Sequence, residues 1–79
     1  MNTPDTVADC ERSAEAAYAA MYDARPLGVK DCYDDARLYF SRAIEAARSA
    51  GLTAEASRLT QRLEHIEAVY NGQFRGVGR

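Results

Sequence analysis

The sequence feature that most constrains the fold is a run of apolar residues in the middle of the chain, spaced three and four positions apart. The run consists of Cys32, Ala36, Phe40, Ala43, Ile44 and Ala47. This spacing matches the period of a helix and does not match that of a strand. The alanines allow a neighbouring helix to approach closely, and Phe40 is large enough to fill the space that remains. The sequence therefore predicts a helix over about residues 31–50, with Phe40 in the core.

The stretch before this helix also has helical spacing. Thr3 and Pro4 are suited to a helix start, and apolar residues recur from Val7 through Cys10, Ala14 and Ala17 to Met21. We predict a helix over about residues 4–23. Its other side carries Asp9, Glu11, Arg12 and Glu15, which we interpret as a mainly acidic, solvated face.

A loop with Pro26 and Gly28 separates the first two predicted helices, and we expect Leu27 and Val29 to pack over the end of the core. Asp31 is the expected N-cap of the second helix. Gly51 stands where a left-handed C-terminal cap is expected, and Thr53 is the expected N-cap of a third helix.

The third helix, over about residues 53–71, has the most regular apolar spacing in the chain. Its apolar positions are Leu52, Ala56, Leu59, Leu63, Ile66 and Tyr70. Three helices without a strand predict an all-α fold, an antiparallel three-helix bundle formed by residues 1–72 as one domain, followed by a flexible tail at 73–79. The predicted core comprises Tyr18, Met21, Ala36, Phe40, Ala43, Ile44, Leu59, Leu63 and Ile66.

Length and composition narrow the function classes. The chain has 79 residues and a formal net charge of −2, which argues against a nucleic-acid-binding protein. No apolar run is long enough for a membrane span, and residues 1–6 lack the features of a signal peptide, so we expect a cytoplasmic protein. Cys10 and Cys32 do not have the spacing of a metal site, and we interpret them as small hydrophobic residues.

The sequence contains no pattern typical of catalysis, so we expect neither an enzyme nor a bound cofactor or metal ion. His65 is the only histidine, and Asp31, Asp34 and Asp35 lack the register of a calcium-binding loop. We interpret the three aspartates as compensating the dipole at a helix N-terminus.

The pattern Tyr33, Ala36, Phe40, Ala43, Ile44 resembles the second helix of a tetratricopeptide (TPR) repeat. The resemblance covers the first two helices and implies that they pair antiparallel, with Ala19 and Tyr22 as the small residue and the tyrosine of the first helix. The third helix would correspond to the one that closes such an array. Residues facing a repeat-type groove would be Ser13, Ala16, Ala20 and Asp23.

A repeat unit does not bury its apolar face alone, so we expect this chain to bind another protein and to form a homodimer. The predicted contact residues are Leu38, Tyr39, Tyr22, Ala16 and Ala20. For Leu38 and Tyr39 the alternative is that they flank the first and third helices within one chain. Two alternatives remain open at this point. One is a structural or regulatory homo-oligomer without a peptide-binding groove, and the other is a nucleic-acid-binding protein that uses Arg58, Arg62, Arg75 and Arg79.

Overall fold

The part of the chain that the structure describes forms an all-α bundle of three helices that pack against one another. The computed structural model describes the backbone of residues 3–74 and the side chains of residues 7–74. Helix α1 spans Thr3–Asp23, α2 spans Val29–Ser49 and α3 spans Thr53–Val69. A short 3₁₀ turn at Pro26–Gly28 precedes α2, and a π-helical turn at Tyr70–Phe74 follows α3.

The core runs along the facing sides of the helices, with Phe40 at its centre. Phe40, Met21, Leu59 and Ile66 are the largest side chains that are fully buried. Full burial of each such side chain contributes about 1.5–3 kcal/mol. Alanines without solvent exposure stand beside them at 14, 36, 43 and 47, which lets the helix backbones approach closely.

The structure places the predicted core residues as follows. Met21, Ala36, Phe40, Ala43, Ile44, Leu59 and Ile66 are buried. Tyr18 and Leu63 are only partly buried and pack at the edge of the core. Tyr18 lies where α1 meets α3, and its hydroxyl reaches outward to that of Tyr22, 3.2 Å away. An aromatic ring with a polar end favours this boundary position over full burial.

Helix α2 begins two residues earlier than the sequence predicted, and Asp31 is not its cap. The backbone of Gly28 already has near-helical angles, φ −93° and ψ −11°, so the 3₁₀ turn leads directly into α2 at Val29. Asp31 lies within the first helical turn instead, where its charge favours the positive end of the dipole. Val29 is buried as expected, but Leu27 is 82% exposed, because the 3₁₀ turn directs it away from the core.

The turn between α2 and α3 is built around Gly51, which has φ +75°. The amide of Leu52 donates to the carbonyl of Ala47 at 2.8 Å, and the amide of Gly51 donates to that of Arg48 at 3.0 Å. These are the two hydrogen bonds of a Schellman motif, so the predicted left-handed cap is present. Leu52 takes the N-cap position of α3, and Thr53, the predicted cap, is its first helical residue.

The C-terminal part of the described chain is more ordered than the sequence predicted. Gln73 and Phe74, assigned to the tail, belong to the π-helical turn. Phe74 packs edge-on against Tyr22 with ring centroids 5.1 Å apart, and Tyr70 stacks on Tyr33 at 3.8 Å. Aromatic pairs of this kind stabilise a contact by about 0.5–1.5 kcal/mol beyond area burial. The predicted flexibility of 75–79 concerns residues outside those that the structure describes.

Candidate interaction surface

Helix α3 covers one side of the α1–α2 hairpin and is held there by two arginines. Arg58 donates two hydrogen bonds of 2.8 Å to the carboxylate of Glu11, and Arg62 donates two of 2.8 Å to that of Glu15. Both pairs join residues 47 positions apart in the same order, so α3 runs parallel to α1. Paired N–H···O bonds between a guanidinium and a carboxylate fix direction as well as distance.

Further contacts on the same side surround these ion pairs. Arg58 also binds Glu55 at 2.8 Å, and the Arg62 guanidinium lies 5.1 Å from the ring centroid of Tyr18. The hydrogen bonds from Arg58, more than any other effect, hold the pKa of the Glu11 carboxyl below its ordinary value. The predicted acidic face of α1 is therefore not simply solvated: Glu11 and Glu15 contact α3, whereas Asp9 and Arg12 pair with each other in solvent.

The opposite side of the hairpin is uncovered. Successive residues of a helix are about 100° apart around its axis. The residues of α1 and α2 that contact α3 therefore define which residues lie on the side away from it. On this side residues 3–74 place no other element over the hairpin. The surface, which we call the open face, is formed by Cys10, Ser13, Ala17 and Ala20 of α1 and by Cys32, Tyr39 and Ala46 of α2.

The open face carries no charged side chain, and most of its side chains are small. All of its members except Ser13 are half-buried, because the two helices of the hairpin shield one side of each. Cys10, Cys32, Tyr39 and Ala46 pack against the edge of the core. Both cysteines are free thiols. Tyr39 is the one large side chain on the open face, and the guanidinium of Arg42 lies 5.9 Å from its ring centroid.

The outward side of α3 differs from the open face in being polar. It presents Ser57, Gln61, Glu64 and His65, all exposed. A polar side of this kind is typical of a solvated surface, whereas the open face carries no charged side chain. The bundle is thus closed on the side of α3 and open on the other.

The five predicted contact residues do not form a single surface. Tyr39 and Ala20 lie on the open face. Tyr22 is 54% exposed but lies on the side of α3, against Phe74. Leu38, 46% exposed, points outward from α2, and the exposed Ala16 lies on the outer side of α1 beside the open face. Helical spacing alone could have separated them, because 38 and 39 differ by about 100° around α2.

The described residues form a further concave feature, a cleft at the start of α3. A shallow cleft of about 370 Å³ lies between Arg48 and the first turns of α3, where Thr53, Ala56, Ser57, Thr60 and Gln61 line it. The hydroxyl of Thr60 donates to the carbonyl of Ala56.

Among the described residues no group of three or more His, Cys, Asp or Glu is close enough to hold a metal ion. None of the described helices combines the length and apolarity that crossing a bilayer requires.

The arginines proposed for nucleic-acid binding are largely engaged elsewhere. The guanidiniums of Arg58 and Arg62 are bound to glutamates of α1, and Arg75 and Arg79 lie outside the described residues. The two described arginines of the nucleic-acid alternative are therefore neutralised by carboxylates of α1. Compared with known proteins, the chain matches no protein-family model, no curated protein and no solved structure.

Proposed function

We propose that the chain is a small, non-enzymatic protein–protein interaction module of TPR-like type, which binds another polypeptide through the open face. The observation that carries this proposal is the asymmetry of the hairpin. One side is covered by α3, whose outward residues are polar, and the other side presents half-buried, uncharged side chains to solvent.

The physical reason is the one that governs helical repeats. A helix pair has two sides on which further helices pack, and a terminal element with a polar outer side completes one end of the array. Here α3 has the position and the polar exterior of such an element. The open face corresponds to the unfinished end, so a further polypeptide that packs there would complete the burial of Tyr39 and its neighbours.

We also place the protein in the cytoplasm. Cys10 and Cys32 are both free, and compartments that keep thiols reduced suit such cysteines. Fractionation of the native host tests this placement, and recovery of the protein from an oxidising compartment would contradict it.

The proposed function is tested with two serines that differ in the surface they occupy. Ser13 is exposed on the open face and Ser57 is exposed on the outer side of α3. We expect Ser13→Glu to abolish co-purification of polypeptides, the protein's own second copy included, from the native host. Ser57→Glu, the matched control, is expected to retain it. Circular dichroism should show the same helicity for both variants. Association that survives Ser13→Glu, or that both variants lose equally, would refute the open face as the binding surface.

A further inference from the structure

We propose that Tyr33 and Tyr70 form a site of oxidative modification, at which a haem peroxidase and hydrogen peroxide join the two rings into dityrosine. The pair lies at the end of the bundle away from the Gly51 turn, where α2 begins and α3 ends. The proposal is independent of the open face. The geometry of the ring pair, its access to solvent and its contrast with the other tyrosines each support it.

The rings of Tyr33 and Tyr70 lie face to face. Their centroids are 3.8 Å apart and their planes differ by 4°. Two phenoxyl radicals couple through carbons ortho to the oxygen, and the new bond forms perpendicular to both rings because the unpaired electrons occupy π orbitals. A stacked pair directs these orbitals at each other, so a small sliding motion brings two ortho carbons together. Holding two reactants in such a geometry favours the reaction between them over competing reactions.

Hydrogen peroxide balances the reaction. Each ring loses one electron and its phenolic proton, and the two radicals form one carbon–carbon bond. The hydrogen on each bonded carbon then moves to the phenolic oxygen, which restores both aromatic rings. The two tyrosines together lose two hydrogen atoms, and one molecule of hydrogen peroxide is reduced to two molecules of water.

The two rings differ in their access to an external oxidant. Tyr33 is 8% exposed, whereas Tyr70 is half-buried and belongs to a turn that contains no buried residue. Tyr70 is therefore the ring that a peroxidase oxidises first. Its radical takes one electron and one proton from Tyr33 across the stack, and a second oxidation of Tyr70 supplies the other radical of the pair.

The other described tyrosines lack this arrangement. Tyr18 and Tyr22 meet edge to face, with ring planes 74° apart and centroids 5.6 Å apart, so the π orbitals of one ring do not point at those of the other. Within the part of the chain that the structure describes, Tyr39 pairs with no aromatic ring, and its ring is approached by the guanidinium of Arg42. These three tyrosines serve as internal controls.

A crosslink at this site ties the C-terminal turn to α2. The loop that it closes runs from Tyr33 to Tyr70 and includes most of α2 and all of α3. A covalent bond across such a loop removes conformations from the unfolded chain. We expect the crosslinked chain to unfold at a higher urea concentration than the unmodified chain.

The first test maps the product of the reaction. Trypsin separates the tyrosines, because cleavage after Lys and Arg yields Tyr33 on peptide 31–37, Tyr70 on 63–75, Tyr39 on 38–42, and Tyr18 with Tyr22 on 13–30. The purified chain is treated, when dilute, with a haem peroxidase and hydrogen peroxide, and the monomer fraction is digested. Cys10→Ser and Cys32→Ser keep thiol oxidation out of the masses.

The expected product is peptide 31–37 joined to peptide 63–75, with a mass two hydrogen atoms below the sum of the two. It should exceed any other dityrosine link within the monomer by about fivefold or more, because only this pair is stacked. Links that join other tyrosines as often, or a monomer that contains no dityrosine after the peroxide is consumed, would overturn the proposal.

The second test compares two conservative variants in the same background. Tyr70→Phe keeps an aromatic ring on Tyr33 but removes the phenol, so the dityrosine fluorescence of the monomer should fall by about fivefold or more. Tyr39→Phe, the matched control, should change it less than about twofold. Circular dichroism should show the same helicity for both. Equal fluorescence from the two variants would show that coupling does not depend on the stacked pair, and the proposal would fail.

Discussion

Replacement of Phe40 by alanine tests the packing on which the bundle depends. The Phe40 side chain is fully buried at the centre of α2 and belongs to the single core cluster of the described residues. Phe→Ala in such a site costs about 3–5 kcal/mol, from lost transfer free energy and from the cavity that remains. A domain of 79 residues has a free energy of unfolding of roughly 4–12 kcal/mol. The substitution thus removes much of the stability.

The expected result is a large fall in Tm. A loss of 1 kcal/mol lowers the Tm of a domain of this size by about 4–8 °C, so Phe40→Ala should lower it by roughly 12–40 °C or abolish the cooperative transition. Thermal unfolding followed by circular dichroism at one fixed protein concentration is the assay, because self-association makes Tm depend on concentration.

Leu38→Ala is the control, since Leu38 lies on the same helix two residues away and is 46% exposed. It should cost less than about 1 kcal/mol. If Phe40→Ala lowered Tm no more than Leu38→Ala does, the Phe40 ring would not lie in the core, and the packing described here would be refuted.

Three further predictions concern the turns and the α1–α3 contact. Gly51→Ala should lower the free energy of unfolding in urea by about 1 kcal/mol, because a side chain is strained at φ +75° even though a Cβ there would meet no atom within 4 Å. An unchanged urea midpoint would contradict the left-handed cap. Arg58→Gln should destabilise the bundle at pH 7 by up to about 1 kcal/mol, given its exposure. Because Arg58 lowers the pKa of the Glu11 carboxyl, this stabilisation is present above the ordinary value of 4.5 and is lost as the pH falls through the lowered pKa. A difference in free energy of unfolding between wild type and variant that persists at the lowest pH would contradict this account. Leu27→Asn should change Tm by no more than about 2 °C, because Leu27 is exposed; a larger fall would show that Leu27 is buried in solution.

The helices and most of the core could be predicted from the sequence, because spacing at three and four residues records which side of a helix is buried. Phe40 with its neighbouring alanines indicated α2 from its apolar pattern alone. Gly51 indicated the left-handed cap, since few other residues adopt positive φ without strain. These features depend on residues that are close together in the sequence, so they can be predicted from the sequence alone.

Helix starts were less predictable. Asp31 has the residue type of an N-cap, but the Pro26–Gly28 turn already supplies helical geometry, and α2 begins before it. Thr53 is displaced in the same way, because the Schellman motif at the end of α2 occupies Leu52. In both cases the preceding turn determined the helix start, and the capping preference of one residue did not.

The partners across the bundle could not be read from spacing within one helix. Glu11 and Glu15 looked like a solvated face until α3 placed Arg58 and Arg62 beside them. Both pairs, Glu11 with Arg58 and Glu15 with Arg62, are separated by 47 positions in the sequence. This shared separation predicts two ion pairs only once α1 and α3 are known to run parallel. The open face was missed for the same reason, because it is defined by what α3 leaves uncovered.

The most direct measurement of the central claim uses the two native thiols as reporters of the open face. Cys10 and Cys32 are half-buried free thiols on that face, one on each helix of the hairpin. The rate at which a maleimide modifies them should be lower in the co-purified complex than in the purified chain alone, because a polypeptide bound at the open face would cover both, and Ser13→Glu should remove this difference. Equal modification rates for the wild-type chain alone and in the co-purified complex would contradict the claim that the open face is the binding surface.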